Sequence, residues 1–299
     1  MYTNMINLWE DREDVTLTSY CMEKNDEIIG CDRRPAVIIS PGGGYAGFTE
    51  REGEAVALRF MAAGYQAFVL HYSICEKAAF PGALYDLAQA MCFLHQNAEK
   101  LCIDVEKIVV CGFSAGGNLA ATLGVMWNQE FMQKKFQVPT EWLKPAAMVL
   151  GYAVTNFGFE NHSVLNQEQA EMMINCNRYI TGKEQPQQED FEKINLLRFV
   201  SADTPPAFLF HLCTDPVVPV DNSLQFASRL AAFDIPFVLE IGEDAWHGVS
   251  SLKAEDANLG FFKEEYAGWF DRAVNWLKKK LFVENTYCLL YTSPSPRDA

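Results

Sequence analysis

Short apolar runs and longer amphipathic stretches alternate along the chain from residue 34 to about residue 281. Arg34 to Ser40 reads as a buried strand by its continuous apolar run, Ile108 to Cys111 and Ala146 to Leu150 also read as buried strands, and Gln66 to His71, Ala207 to His211 and Pro236 to Ile241 read as further strands. Between them the period changes. Val56, Phe60 and Ala63 make an apolar stripe on a helix expected from about Glu52, with Gly64 as its stop. Leu84, Leu87, Ala88, Met91 and Leu94 follow the i, i+3, i+4, i+7 spacing of a second helix, opening after Pro81-Gly82. Further helices are predicted from Ala115, over Asn222 to Phe233, and over Phe261 to Leu281 with Phe262, Tyr266, Phe270 and Leu277 on one face. Strands alternating with helices imply an α/β fold, a mostly parallel sheet covered on both sides. Two segments break the pattern. Residues 1–34 are polar, with edge strands such as Val15 to Tyr20, and residues 155–203 are rich in Asn, Gln and Glu. The second reads as a small polar insertion over the C-terminal edge of the sheet.

The junction between the strand at Ile108 and the helix from Ala115 carries the first chemical signal. It reads Gly112-Phe113-Ser114-Ala115-Gly116, a match to the G-x-S-x-G nucleophile elbow, in the strand-to-helix context that motif requires. The serine hydroxyl would stand exposed at the sheet edge, at a helix N-terminus that favours negative charge. A serine hydroxyl is a weak nucleophile near pH 7 and needs a base, which in turn needs an orienting carboxylate. In this motif's fold the chain order is Ser, then acid, then His.

Five histidines are available. His71 and His95 precede Ser114, His162 lies in the insertion, and His211 ends a strand ahead of the candidate acid. His247 lies in a loop after a strand, next to Gly248, where the base is expected. Asp215 follows the Ala207 to His211 strand and is the candidate acid. Asp221 reads as the N-cap of the next helix, and Asp203 lies at the other end of its strand. Pro41-Gly42-Gly43-Gly44 follows the first long strand, and its amides, through Gly43 or Gly44, together with the Ala115 N–H, are candidate oxyanion donors.

The stretches Pro41 to Tyr45, Arg51 to Glu54, Gly64 to Leu70, Gly112 to Gly117 and Asp215 to Ser223 resemble the α/β-hydrolase esterases described as acetyl-xylan or feruloyl esterase-like (BD-FAE-type). These are related to the hormone-sensitive-lipase group. The likeness spans about residues 34–280. It implies the α/β-hydrolase fold, Ser114, Asp215 and His247 as a triad, and deacetylation of carbohydrate esters. Where the lipase group opens its oxyanion motif with His, this chain has Pro41. Tyr45 and Trp246 are candidate substrate contacts, and Asn156, Asn161 and Asn166 candidate hydrogen-bonding partners for a sugar. A prolyl-oligopeptidase-like peptidase shares the triad, but such enzymes usually carry a large propeller domain and a charged clamp for peptide termini, and neither is expected from these residues. A non-catalytic protein of this fold is the third reading, and the intact triad and glycine loop argue against it.

Composition narrows the partners. Net charge of −15 argues against nucleic acid and anionic membrane. No apolar run reaches about 18 residues, so no membrane span is expected. Nine scattered cysteines without C-x-x-C spacing suggest neither zinc nor a disulfide framework. With a polar, acidic N-terminus unlike a signal peptide, they point to a cytoplasmic protein with reduced thiols. The expectation is a small-molecule ester substrate, an acetylated oligosaccharide among the candidates, with no cofactor and no metal. Residues 1–287 read as a single domain, and residues 288–299 as a non-native, adapter-like tail.

Overall fold

The computed structural model describes residues 1–24, 32–157, 165–243, 247–250 and 268–282. Among them one eight-stranded sheet is built from β1 (Tyr2–Trp9), β2 (Arg12–Cys21), β3 (Arg34–Ser40), β4 (Gln66–His71), β5 (Ile103–Phe113), β6 (Ala147–Gly151), β7 (Ala207–Leu212) and β8 (Phe237–Gly242). The order is β1-β2-β4-β3-β5-β6-β7-β8. The six strands from β4 to β8 run parallel, and the β1–β2 hairpin closes one edge antiparallel to β4. The helices are α1 (Glu54–Ala62), α2 (Gly82–Gln96), α3 (Ala98–Leu101), α4 (Ser114–Met126), α5 (Glu130–Phe136), α6 (Gln167–Thr181), α7 (Gln188–Glu192), α8 (Asp221–Ala232) and α9 (Trp269–Phe282).

Strand periodicity explains why the runs are apolar at every position. Ile38, Val110, Leu150 and Leu209 point into a core shared with α2, α4 and α8. Their neighbours Val37, Val109, Val149 and Phe208 point into a second core shared with α1 and α9. Both faces of β3, β6, β7 and the second half of β5 are therefore withdrawn from water, as in other helix-covered parallel sheets, while the edge strand β8 stays half-exposed. This is the α/β-hydrolase fold expected from the sequence.

Several boundaries differ from expectation. The helix predicted from Glu52 begins at Glu54, after a 3-10 turn over Glu50–Glu52. The elbow strand extends back to Ile103, through the polar stretch Asp104 to Lys107 that gives no apolar signal. The entry segment is a full hairpin rather than isolated edge strands, fastened by Trp9 Nε1 donating to buried Asp86 at 2.7 Å. Asp221 is the first residue of α8 and not its N-cap; Val220 holds that place without a side-chain hydrogen bond. The N-terminal part of the helix expected over 261–281, and the tail from 288, lie outside the described residues. Among the described residues no helix is long and apolar enough to cross a membrane.

The chain leaves β3 for β4 on one side, then returns to β5 on the other. This reversal opens a crevice at the carboxyl ends of β3 and β5, where ligands bind in open α/β sheets.

Candidate active site

The end of β5 delivers Ser114. Phe113 is still extended, while Ser114 opens α4 with φ 51, a conformation unfavourable for a residue with a side chain. The turn is possible because its flanks are bare. A Cβ on Gly112 would fall onto the Gly116 carbonyl, and one on Gly116 onto the Ser40 carbonyl. The strain lifts the hydroxyl out of the sheet edge and places it against the first turn of α4, whose leading amides have no partner within the helix.

The other two candidates converge on it from later strands. His247 Nε2 lies 2.9 Å from Ser114 Oγ, and His247 Nδ1 lies 2.7 Å from Asp215 Oδ2. With Nδ1–H donating to the carboxylate, Nε2 is left to accept from the serine. Asp215 is 3 % exposed, and its other oxygen accepts from the backbone N–H groups of Val217 and Val218 at 2.9 Å each. Burial alone would push its carboxyl up. The facing His247, the nearby His211 and the Val218 amide outweigh burial and hold it below the usual carboxylate value.

His211 is a second histidine on the same carboxylate, 3.6 Å from Asp215 Oδ2. Its Nε2 is 2.9 Å from the Val218 carbonyl and its Nδ1 2.7 Å from Ser223 Oγ. The carbonyl must be an acceptor, so Nε2 carries the proton and Nδ1 accepts from the serine hydroxyl. Burial lowers the His211 pKa, consistent with a neutral ring that braces the Asp215 turn. These contacts give His211 a structural role.

The glycine loop lies beside Ser114. Tyr72 Oη donates to the Pro41 carbonyl at 2.6 Å, and Thr49 N donates to the Gly42 carbonyl. Gly43, Gly44, Ser114 and Ala115 all line one cavity. Among the described residues, the amides of Gly43 and Gly44 donate to no protein acceptor.

The cavity has a volume of about 220 Å³. Val154, Phe157, Met172, Met173, Val217 and Val218 give it an apolar wall, and Thr49, Arg51, Glu52 and Asn177 add polar groups. The wall corrects the picture of a polar insertion. Residues 155–203 are polar in composition, yet α6 turns Met172, Met173 and Cys176 to the cavity. Two methionines in a polar sequence do not announce a pocket, and only the docked helix shows which face they share.

Other sequence expectations fare differently. Tyr45 is not a cavity residue. It is 1 % exposed, its hydroxyl donates to Asn118 Oδ1 at 2.6 Å, and its ring packs on Tyr72, so it is a buried strut under the loop. Asn166 caps α6, its side chain taken by the Gln169 amide. Trp246 and Asn161 lie outside the described residues. Among the described residues no cluster of three or more His, Cys, Asp or Glu is arranged to hold a metal.

One residue was missed. Glu52 reads in sequence only as an acidic residue in the first turn of the helix expected from there. It is 1 % exposed, directly behind the glycine loop, accepting from the Gly42 N–H at 2.7 Å and from Tyr152 Oη at 2.6 Å. Burial pushes its carboxyl up from the usual value, while Tyr152, Gly42 and His247 pull the other way.

Comparison with known proteins agrees with this fold. The BD-FAE family model matches residues 30–230. An α/β hydrolase from a Medee basin deep-sea metagenome library is 30% identical, with a TM-score of 0.71 over 95% of this chain and 99% of that one. An acetyl ester-xyloside bifunctional hydrolase from Caldicellulosiruptor lactoaceticus is 29% identical, with a TM-score of 0.75 over 94% and 97%. The endo-1,4-beta-xylanase B of Butyrivibrio fibrisolvens is 29% identical over 273 residues, covering 88% of this chain and 39% of that protein. The esterase LipQ of Mycobacterium tuberculosis is 26% identical over 201 residues and is matched over 46% of its length. The chain thus spans less than half the length of these two curated relatives.

Proposed function

The chain belongs to the BD-FAE family, and from that premise we propose that it is a serine carboxylic ester hydrolase acting on short acyl esters, acetylated oligosaccharides foremost. The observation that carries the reading is the hydrogen-bonded row Ser114, His247, Asp215, whose first two members line the cavity. Ser114 Oγ attacks the ester carbonyl as His247 Nε2 takes its proton. Negative charge develops on the carbonyl oxygen, and the amides of Gly43 or Gly44 and of Ala115 receive it. His247 then passes the proton to the leaving alcohol oxygen, and the acyl group remains on Ser114. Water, deprotonated by the same imidazole, attacks the acyl-enzyme and releases the carboxylic acid. Asp215 keeps the imidazole in the required tautomer throughout and stabilises its charged form.

The short acyl group is inferred from cavity size. About 220 Å³ is below the roughly 300–1,000 Å³ of pockets for drug-sized ligands. Acetate as the acyl group, and a sugar as the alcohol, draw support from the Caldicellulosiruptor relative, named as an acetyl ester-xyloside hydrolase. A cytoplasmic location belongs to the same reading, supported by the seven free cysteines among the described residues. The test is hydrolysis of p-nitrophenyl acetate, acetylated xylo-oligosaccharides and a chromogenic dipeptide by the purified protein. Release of acetate from the sugars with no cleavage of the dipeptide is expected. Cleavage of the dipeptide alone would establish a peptidase instead.

A further inference from the structure

Two loops must hold their places together for the proposed chemistry to run. One is the glycine loop, residues 41–49, which carries candidate oxyanion donors. The other is the segment His247 to Ser250, which carries the base. They come from opposite ends of the chain, and the short 3-10 turn at Glu50–Glu52 meets both.

Arg51 Nε donates to the Gly248 carbonyl at 2.9 Å, and Ser250 Oγ donates to the Arg51 carbonyl at 2.8 Å. Ser250 N donates to Tyr152 Oη at 3.3 Å, and the Tyr152 ring meets His247 edge-on at 5.0 Å between centroids. Tyr152 Oη in turn donates to Glu52 Oε1. The second Glu52 oxygen receives the Gly42 N–H. The spacing is tight: a Cβ placed on Gly42 would lie 2.8 Å from Glu52 Oε2 and 3.0 Å from Ser114 Cβ.

We propose that Glu52 is a positioning residue whose carboxylate fastens the oxyanion loop and, through Tyr152, the histidine loop to one buried point behind Ser114. A carboxylate suits this place because each of its oxygens accepts and neither donates, matching one backbone N–H and one phenol O–H. Holding Gly42 N–H on the far side leaves the next amides, Gly43 and Gly44, to face the cavity. Holding Tyr152 fixes the edge against which the imidazole of His247 packs. Glu52 also borders the cavity, but both of its oxygens are already taken by Gly42 and Tyr152, so its loss acts on geometry, where a misplacement of about 1 Å can cost about 100-fold in rate.

The inference rests on the hydrolase reading for its kinetic arm and is independent of it for its structural arm. Glu52→Ala, Glu52→Gln and Tyr152→Phe are compared with wild type by p-nitrophenyl acetate kinetics and by amide hydrogen exchange. Glu52→Ala is expected to lower kcat about 100-fold with KM little changed, and to speed exchange in both 41–49 and 247–250. Tyr152→Phe should loosen only 247–250. Glu52→Gln keeps an acceptor for Gly42 but sets an amide NH₂ against the Tyr152 hydroxyl, so it should lose less kcat than Glu52→Ala and loosen 247–250 more than 41–49. Wild-type kcat in Glu52→Ala, unchanged exchange in both loops of that variant, or a Gln variant as impaired as Ala each overturns the proposal. If wild type hydrolyses no ester, the functional reading fails and the exchange comparison alone decides the role of Glu52. If Glu52→Ala does not fold, Tyr152→Phe carries the test, and unchanged kcat and exchange there overturn it.

Discussion

Ser40 on β3 and Gly112 on β5 stand opposite each other in the parallel ladder. Both strands end within two residues of that pair, so the chain turns off at Pro41 on one side and at Ser114 on the other. The glycine loop and the candidate nucleophile therefore emerge side by side, although 70-odd residues separate them in sequence. A shift of one residue in this register would reverse every side chain of β3 between the two cores. The geometry of the site is thus tied to the apolar pattern of the strands beneath it.

The serine is the first place to test. Ser114→Ala removes the group that would carry the acyl chain, and the expected loss in kcat is about 10⁶-fold, the scale of nucleophile knockouts in serine hydrolases. Mass spectrometry after organophosphonate treatment should find one adduct, on Ser114, and none in the variant. A variant with a tenth of wild-type activity would remove Ser114 from the mechanism.

Asp215 makes two separable predictions. Asp215→Asn keeps the shape but lets the amide donate where the carboxylate accepts, so His247 loses its tautomer control. The loss of kcat expected from the equivalent change in a well-studied triad is about 10⁴-fold. The second concerns acid stability. The folded carboxyl lies below its usual value, so the unfolded chain binds the proton more readily. Asp215 therefore contributes stability above the unfolded pKa of about 3.9, and this is lost as pH falls through the folded value. Urea unfolding from pH 6 downward should show a smaller decline below about pH 4 in Asp215→Asn than in wild type. An unchanged acid limb would mean that the contact of Asp215 with His247 adds nothing to folding.

Gly43 tests the loop from the backbone. Its φ is 131, and a Cβ there would run into the Gly47 carbonyl. A side chain at Gly43 is therefore a folding lesion as well as a chemical one, and activity loss in a Gly43 variant does not by itself identify an oxyanion donor. Gly43→Ala is expected to cost about 1–3 kcal/mol from the backbone conformation alone. Gly47→Ala is the control, since a Cβ there meets nothing within 4 Å and its φ is not positive. Thermal unfolding should separate the two, with Tm lowered in the first and unchanged within a degree or so in the second. Equal Tm values would show that the loop bends to accept the methyl group.

What the sequence discloses follows from how local the signal is. The strands from β3 to β7 are legible because burial on both faces demands unbroken apolar runs, and Ser114 because its turn demands glycines at fixed offsets. Asp215 and His247 are legible as an ordered pair at strand ends, although 32 residues separate them. Glu52 is not, because a carboxylate before a helix looks the same whether it faces water or Gly42. Tyr45 was misassigned for the converse reason: nearness in sequence to the glycine loop says nothing of which way a ring points, and this ring points to Asn118. The apolar wall on α6 is hidden by the polar residues of its outer face.

That wall supplies the last prediction. Met172 packs so close to the glycine loop that a Cβ on Gly44 would lie 3.3 Å from its Cγ. Met172, Met173 and Cys176 thus bound the cavity on the side facing the candidate oxyanion donors. If the acyl group lies against this wall, its length is limited by the methionines and not by the serine. Wild-type kcat/KM is expected to be highest for p-nitrophenyl acetate and to fall through butyrate, hexanoate and octanoate. Met172→Ala removes three side-chain heavy atoms from the wall and should raise the relative rate on butyrate or hexanoate about tenfold, the order of discrimination that a methylene-sized change in an apolar pocket provides. Hydrolysis of acetate should stay within a few-fold of wild type, because Ser114, His247 and Asp215 are untouched. A wild-type profile that climbs toward octanoate would mean that the acyl chain leaves by another route. A Met172→Ala profile parallel to wild type would place the alcohol group, and not the acyl chain, against α6.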